Sequence, residues 1–195
     1  MKQKNNKIKI STRVKLKLFE DFLLNLSSQT KRNFSYFGNI NKKSVKTIVK
    51  NDLQRKDKIR FFLTLDNALI VYGFLTTFEK PEKKHNCMSG IVVADKFQQK
   101  GYGIGLYKYV INFAWKKQFT KMWVTVYADN FKALAVHKSL GFEIEGIFMS
   151  DEKQGTKYRD KVSMALFKNQ SLKNKRKKLL KKLECKNFKK YKATN

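Results

Sequence analysis

The residues best suited to chemistry form a glycine-rich octapeptide in the middle of the chain, Gln98-Gln99-Lys100-Gly101-Tyr102-Gly103-Ile104-Gly105. Glycine has no Cβ, so the backbone of such a segment can approach a ligand closely. The first N–H groups of a helix lack partners within the helix, and the helix dipole places positive charge there. A helix that begins in this octapeptide would therefore hold a phosphate group.

Two elements must position the octapeptide, and hydrophobic patterns indicate both. The β-branched run Ile91-Val92-Val93 is typical of a buried strand. After the octapeptide, apolar residues at helical spacing predict a helix with one face on a core; they are Tyr107, Val110, Ile111, Ala114 and Trp115. A strand, a glycine turn and a helix start in this order bring several unpaired N–H groups into one small volume.

The remaining pattern predicts alternating short strands and helices. Before the octapeptide we predict a strand through Ile8 and Ile10, a helix over residues 18–26, a loop or short helix over 29–41, a short helix through Val45, and a hairpin of strands 59–65 and 68–78 that turns at Asp66-Asn67. After it we predict a strand over 122–127, a helix over 131–140 capped by Asp129 or Asn130 and closed by Gly141, and two strands, 142–149 and 162–167, joined by a polar loop.

Composition sets the class of protein. Of 195 residues 42% are apolar, which is enough for one packed domain. The formal charge of +29 attracts polyanions such as nucleic acid, acidic membrane surfaces or phosphorylated cofactors, although a lysine-rich sequence also reflects genome composition. Lysines dominate from residue 169 onward, so we predict one domain over residues 1–168 and a basic tail over 169–195 that is helical or disordered.

The sequence contains neither a recognisable targeting signal nor a cysteine motif. No stretch approaches the roughly 20 apolar residues of a membrane span, and the basic first residues have no apolar signal core behind them. This pattern predicts a cytoplasmic protein without a membrane span. Cys87 and Cys185 are too few and too far apart for a disulfide framework or a zinc site, so we expect reduced thiols and no metal.

The octapeptide resembles the signature of a known enzyme family. The pattern Gln98-x-x-Gly101-x-Gly103 is similar to the Gln/Arg-x-x-Gly-x-Gly/Ala motif of the GNAT superfamily of acetyl-CoA-dependent N-acetyltransferases, and it does not fit a Gly-x-Gly-x-x-Gly dinucleotide fingerprint. Downstream, an Asn-x-x-Ala motif at 130–133 and a Leu-Gly-Phe motif at 140–142 resemble the family's second landmark. The resemblance implies an α/β (α+β) fold with a mixed, twisted central sheet of about six or seven strands flanked by helices.

The resemblance also implies how a cofactor would bind. Main-chain groups of Ile91-Val92-Val93 would pair with the pantetheine arm of acetyl-CoA as another strand does. Amides of Gln99, Lys100, Gly101, Tyr102, Gly103, Ile104 and Gly105 would surround the pyrophosphate, with Gln98 in the same site. Asn130 would bond to the arm near the thioester, with a plain helix cap as the alternative role; both roles are compatible. Acetyl-CoA is therefore the expected acetyl donor.

Acetyl transfer requires a neutral amine, a polarised thioester carbonyl and a proton for the departing thiolate. A backbone N–H at the end of the cofactor strand would hold the carbonyl. Many relatives have a tyrosine four residues before the Gly-Phe pair; this chain has His137, a candidate general acid, with core packing as the alternative. The candidate bases are Glu79 and His85, in the loop before the cofactor strand, and the candidate acceptor-pocket residues are Tyr127 and Tyr158.

Three functions follow from these patterns. The first is an N-acetyltransferase in which a primary amine, from a small molecule, an amino sugar or a peptide or protein, attacks acetyl-CoA directly. The second is an acetyltransferase-fold module that binds RNA or the ribosome through its basic tail, since lysines neutralise phosphates. The third is a relative that binds CoA without turnover, because the expected tyrosine is missing.

Overall fold

The computed structural model describes residues 7–169 and residue 174, and residues 7–169 form seven β-strands and five α-helices. The strands are β1 (Ile8–Ser11), β2 (Lys58–Leu65), β3 (Ala68–Thr77), β4 (Asn86–Val93), β5 (Lys121–Tyr127), β6 (Glu143–Gln154) and β7 (Lys157–Phe167). The helices are α1 (Leu16–Leu24), α2 (Ser28–Asn33), α3 (Val45–Gln54), α4 (Tyr102–Lys116) and α5 (Phe131–Ser139).

The strands form one sheet in the order β1-β2-β3-β4-β5-β7-β6. Its neighbours pair antiparallel except β4 and β5, which are parallel because α4 carries the chain back across the sheet between them. A seven-stranded mixed sheet with helices packed against it confirms the predicted fold class.

Side chains alternate between the two faces of the sheet, and each face has its own apolar core. On β4, Ile91 and Val93 face the core under α4, which also contains Leu106 and Val110 from that helix. Val92 faces the opposite core under α1 and α3. The helical stripe predicted after the octapeptide is therefore the buried face of α4.

The local sequence predicts the turn between β2 and β3 correctly, but it does not predict the connection between β6 and β7. Asp66 and Asn67 have φ values of 47° and 67°, so the predicted tight hairpin between β2 and β3 is confirmed. The polar loop predicted between the last two strands is wrong. After an irregularity between Phe148 and Glu152, β6 and β7 pair again as far as Gln154 and Lys157, since cross-strand pairs of polar residues support a ladder without an apolar pattern.

A buried ion cluster fixes α3 to the sheet. The carboxylate of Asp52 on α3 accepts hydrogen bonds from the ammonium of Lys58, from Arg60 Nε at 3.0 Å and from the Tyr72 hydroxyl at 3.0 Å. The Lys58 side chain is fully buried, and its ammonium lies 3.8 Å from the ring centroid of Tyr36. Burial lowers the pKa of Lys58 to about 7, although Asp52 opposes this shift.

The described residues contain no helix that is both long and apolar enough to cross a membrane. The predicted basic tail lies outside the described residues except for positions 169 and 174. The division of the chain at residue 168 and the cytoplasmic location therefore stay predictions.

Candidate functional site

β4 and β5 are paired at one end and unpaired at the other. Their parallel ladder joins Asn86–Met88 to Lys121–Trp123. Beyond it, β4 continues to Val93 on β3, and β5 continues to Tyr127 on β7. The inner edges of the two strands, residues 89–93 and 124–127, therefore border an opening in the sheet, which we call the gap.

Backbone polar groups of β4 point into the gap. Just beyond the ladder with β3, Ala94 N donates to Ile70 O at 2.9 Å, and this bond fixes which residues pair along the two strands. By that alternation Val92 bonds to β3, whereas Ile91 and Val93 direct their N–H and C=O groups toward the gap. The structure therefore places Ile91 and Val93 where an added strand would pair, and it places Val92 away from that edge.

β5 presents its backbone in the same way. Ala128 N donates to Asp160 O at 2.9 Å, which marks the residues of β5 that bond to β7. Thr125 lies between those bonded positions, so its N–H and C=O groups face the gap. Both edges of the gap thus offer donors and acceptors to an extended ligand.

The octapeptide forms the turn from β4 into α4. Gly101, at φ 82°, is the N-cap of α4, and its carbonyl accepts from Gly105 N at 2.9 Å. Within residues 7–169 the backbone N–H groups of Tyr102, Gly103 and Ile104 have no acceptor. Three unpaired donors at the positive end of a helix suit an anion.

Gly103 has a packing role of its own. A Cβ at this position would lie 2.9 Å from Val93 Cγ2, closer than such atoms approach, so glycine lets α4 start directly against β4. The Gln98 side chain turns toward the protein, where its Nε2 donates to Val93 O at 3.2 Å and to Thr30 Oγ1 at 3.1 Å. Gln98 therefore contributes to the turn through internal hydrogen bonds.

The site consists of a glycine turn beside a gap between two parallel strands. A comparison of the sequence with protein families agrees with this geometry. The model of the Acetyltransferase (GNAT) family matches residues 27–142, more than half of the chain. The chain belongs to the GNAT acetyltransferase family. Members of this family acetylate amines with acetyl-CoA, and the matched region contains the gap, the octapeptide and α5.

Solved structures of GNAT proteins share this fold. A GNAT acetyltransferase from Streptococcus pneumoniae is 17% identical, with a TM-score of 0.67 over 83% of this chain and 99% of its own. A ribosomal-protein-alanine N-acetyltransferase from Brucella melitensis is 16% identical, with a TM-score of 0.68 over 83% and 99%. An N-acetyltransferase from Staphylococcus aureus is 14% identical, with a TM-score of 0.67 over 83% and 98%. Comparison with curated proteins finds no significant match.

His137 lies in the core between α4 and α5. Its Nδ1 is 2.7 Å from Ala133 O, so Nδ1 carries the proton and the carbonyl accepts it. The ring stands edge-on to Tyr107 and Phe142, each with a centroid distance of 5.3 Å. Nε2 is buried without a partner among the described residues. Burial lowers the pKa of His137, so the neutral ring presents a lone pair at Nε2.

We expect His137 to make stability sensitive to acid. The folded pKa lies below the ordinary value of 6.5, so the unfolded chain binds the additional proton first, and stability falls as pH drops below about 6.5. The slope from this one group is at most about 1.4 kcal/mol per pH unit. Urea unfolding at pH 7 and pH 5 should show a smaller loss for His137→Phe than for wild type, and equal losses would contradict this assignment.

Asn130 and Tyr127 lie at the end of β5. Asn130 is the N-cap of α5, because its side-chain oxygen accepts from Ala133 N at 3.3 Å. The Tyr127 hydroxyl donates to the Glu152 carboxylate, and the Arg159 guanidinium lies 3.5 Å from its ring centroid. Tyr127 is thus part of a polar cluster on the side of the sheet opposite α4.

A cavity of about 470 Å³ lies beside this cluster, between α2 and β6. Its walls are Ser28, Lys31, Arg32, Gly38, Asn39, Ile40, Glu152 and Gln154. Gln154 also donates to the Tyr127 hydroxyl at 3.3 Å, which joins the cavity to the end of β5. We call this space the α2–β6 cavity.

The structure does not bring the other predicted residues to the gap. Tyr158 is 61% exposed and, one residue from Arg159 on β7, faces the opposite side of the sheet from Tyr127. Glu79 and His85 lie in the β3–β4 connection, at the end where β4 and β5 are still paired, and His85 O accepts from Thr120 N. The length of β4, about 23 Å, separates that end from Val93.

Cys87 lies at the paired end of β4 and is inert. Burial raises the pKa of its thiol to about 12, so the thiolate needed for covalent acyl transfer does not form near neutral pH. Among residues 7–169, no group of three His, Cys, Asp or Glu side chains is placed to hold a metal ion.

Sequence reasoning missed the residues that join α2 to the rest of the site. Glu152 and Gln154 lie in the segment predicted as a polar loop, so no pattern singled them out, and Arg159 was predicted only as part of a family-like strand. Ser27 carries a usable signal, since serine is a preferred helix N-cap, and Ser27 Oγ accepts from Thr30 N at 3.1 Å.

Proposed function

We propose that this protein transfers the acetyl group of acetyl-CoA to a primary amine, by direct attack of the amine on the thioester. The observation that carries the proposal is the gap between β4 and β5, with inward-facing backbone groups, next to a turn whose N–H groups lack acceptors among residues 7–169. The gap accepts an extended arm, and the turn accepts an anion. A CoA thioester combines these two features.

The residues present fit such a cofactor. The N–H and C=O of Ile91 and the N–H of Val93 would bond to the pantetheine arm, and the first amides of α4 would hold the pyrophosphate. The bound cofactor supplies an activated acetyl group. The amide-bearing side chain of Asn130, already fixed as a helix cap, would bond near the thioester.

The acceptor would enter from the opposite side of the sheet, through the α2–β6 cavity. Tyr127 and Gln154 connect that cavity to the end of β5. A lysine-like amine, with a pKa of about 10.4, must lose a proton before it attacks. Because Glu79 and His85 lie at the far end of β4, we assign proton removal to water in the cavity, where the Glu152 carboxylate is bonded to Tyr127 and Lys161.

His137 remains the candidate proton donor to the departing thiolate, and its geometry limits that role. The proton on Nδ1 is held by Ala133 O, so donation from Nε2 requires the charged ring, which burial disfavours. Full turnover by His137→Phe with a reactive amine would contradict the donor role and leave protonation to water.

Turnover is the direct test. Purified full-length protein with acetyl-CoA and a panel of amines, comprising a polyamine, an amino sugar, free amino acids and short peptides, should release free CoA with at least one of them. Thiol release is followed with a chromogenic disulfide, and the acetylated product by mass spectrometry. Binding of acetyl-CoA with no turnover across the panel would favour the CoA-binding relative without activity.

A second function, binding to RNA or the ribosome, is favoured by charge. Residues 170–195 contain 11 Lys or Arg and one acidic residue. If these lysines bind phosphates, RNA affinity should fall steeply between low and high salt, with little dependence on sequence. Filter binding by the full chain across a salt series tests this. The two functions are compatible if the amine belongs to a protein bound to nucleic acid.

A further inference from the structure

Helix α2 has little apolar packing to hold it in place. None of its six residues is buried, although Ser28, Lys31 and Arg32 line the α2–β6 cavity. A short helix without buried side chains depends on polar contacts at its ends. Leu26 and Phe34, which flank the helix, pack in the core under α1 and α3, and between them hydrogen bonds to other elements hold α2 and one wall of the cavity.

The N-terminus of α2 is bonded to the segment between β4 and the octapeptide. The Asp95 carboxylate accepts from Ser27 N at 2.8 Å, from Ser27 Oγ at 2.6 Å and from Thr30 Oγ1 at 2.7 Å. Gln98 Nε2 donates to Thr30 Oγ1 and to Val93 O. This network, which we call the α2 latch, consists of Ser27, Thr30, Asp95 and Gln98.

The C-terminus of α2 is bonded to the end of β5 and β7. Arg159 donates to Arg32 O and to Asn33 Oδ1, both at 3.3 Å, while its guanidinium stacks on Tyr127 and pairs with Asp129. Helix α2 therefore spans from the end of β4 to the end of β5, across the open end of the gap.

The carboxylate of Asp95 lies beside the anion-binding turn, where its negative charge repels an anion. Its presence there therefore requires a structural explanation. Burial alone would raise the pKa of Asp95, yet the hydrogen bonds from Ser27 and Thr30 lower it, so the group is charged at neutral pH. Three donors, two from the N-cap Ser27 and one from Thr30 of α2, offset that charge. The hydrogen bonds of Asp95 thus hold α2 in position.

We infer that Asp95 and Gln98 are positioning residues that couple the octapeptide to α2, so that a CoA molecule bound at the turn orders the wall of the acceptor cavity. This inference rests on the proposed function. A bound CoA that orders Val93 and Gln98 also orders Thr30 and Ser27, because the hydrogen bonds of the α2 latch connect these residues.

Hydrogen–deuterium exchange of the full chain, with and without saturating CoA, tests the coupling. In wild type, CoA should slow exchange in residues 98–105 and, by at least about fivefold, in residues 27–34. The amides of Lys31 and Phe34, which donate to Ser27 O and Thr30 O at 2.9 Å, report on α2. In Asp95→Ala, the CoA-dependent slowing should disappear from 27–34 and persist in 98–105.

Two further variants complete the test. Thr30→Val keeps the shape of the side chain and removes the bonds to Asp95 and Gln98, so it should reproduce the loss if Asp95→Ala folds poorly. Asp21→Ala removes an equal charge from an exposed i,i+4 pair with Lys17 and should behave as wild type. A merely structural role would speed exchange in α2 equally with and without CoA.

The outcomes separate the two proposals. Slowing in 98–105 without slowing in 27–34 in wild type overturns the coupling and leaves the proposed function standing. Equal CoA-dependent slowing of 27–34 in wild type and in both latch variants also overturns it. No slowing in 98–105 overturns the proposed function and the coupling together.

Discussion

Replacing Gly105 by aspartate is expected to weaken acetyl-CoA binding about 30-fold, or about 2 kcal/mol, without loss of stability. Gly105 lies in the first turn of α4, and a Cβ there meets no atom of the described residues within 4 Å. A carboxylate near a helix N-terminus favours the fold. It would, however, repel the pyrophosphate that we assign to the same N–H groups. Titration calorimetry measures the affinity, and thermal unfolding measures the stability.

Gly146→Asp is the matched control for this prediction. Gly146 is also in open space, but it lies on the edge strand β6, two strands away from the gap. The same added charge there should change acetyl-CoA affinity by less than about twofold, because surface charges at that distance are largely screened. Wild-type affinity in Gly105→Asp would show that the phosphates bind elsewhere.

Replacing Asp52 by asparagine is expected to destabilise the protein by about 3–5 kcal/mol. The carboxylate is the counterion of Lys58 and Arg60, whose side chains are 0% and 9% exposed, so its loss leaves two buried cations unpaired. The Lys58 ammonium also lies 3.8 Å and 3.9 Å from the rings of Tyr36 and Phe74. Loss of the cluster should therefore loosen the aromatic segment after α2.

The pH dependence of unfolding provides the second readout of this cluster. The folded pKa of Lys58, about 7, lies below the ordinary 10.5, so the unfolded chain binds more protons between these values and stability rises with pH there. Without Asp52 the folded pKa of Lys58 should fall further, so the rise should begin at a lower pH, while its slope from this one group stays at most about 1.4 kcal/mol per pH unit. Asp57→Asn, which breaks a partly exposed pair with Arg55, should cost no more than about 1 kcal/mol in urea unfolding. A loss below about 1 kcal/mol in Asp52→Asn would contradict the cluster's role.

The strand, turn and helix around the octapeptide were predictable because their signals are local. The octapeptide contains its own glycines, and the apolar stripe of α4 follows directly in sequence. The turn at Asp66-Asn67 is likewise determined by two adjacent residues that accept positive φ. In each case the residues that determine the structure are neighbours along the chain.

The contacts of α2 beside the α2–β6 cavity were not predictable for the opposite reason. Asp95 and Thr30 are 65 residues apart, and Arg159 and Asn33 are 126 apart, so their hydrogen bonds exist only after the sheet has formed. Helix α2 has no apolar periodicity from which it could be predicted. Glu79 and His85 show a related error: nearness to β4 in sequence suggested nearness to the gap, but their loop joins β4 at its paired end.

Calorimetric titration of the full-length wild-type protein with acetyl-CoA is the decisive experiment on the gap and the octapeptide. A gap with inward-facing backbone groups, next to a turn whose N–H groups are unpaired within the described part of the chain, should bind one acetyl-CoA per chain. The CoA thioester should bind, and adenosine, which lacks both the arm and the pyrophosphate, should not. Absence of binding at millimolar acetyl-CoA would contradict the cofactor site proposed for this chain.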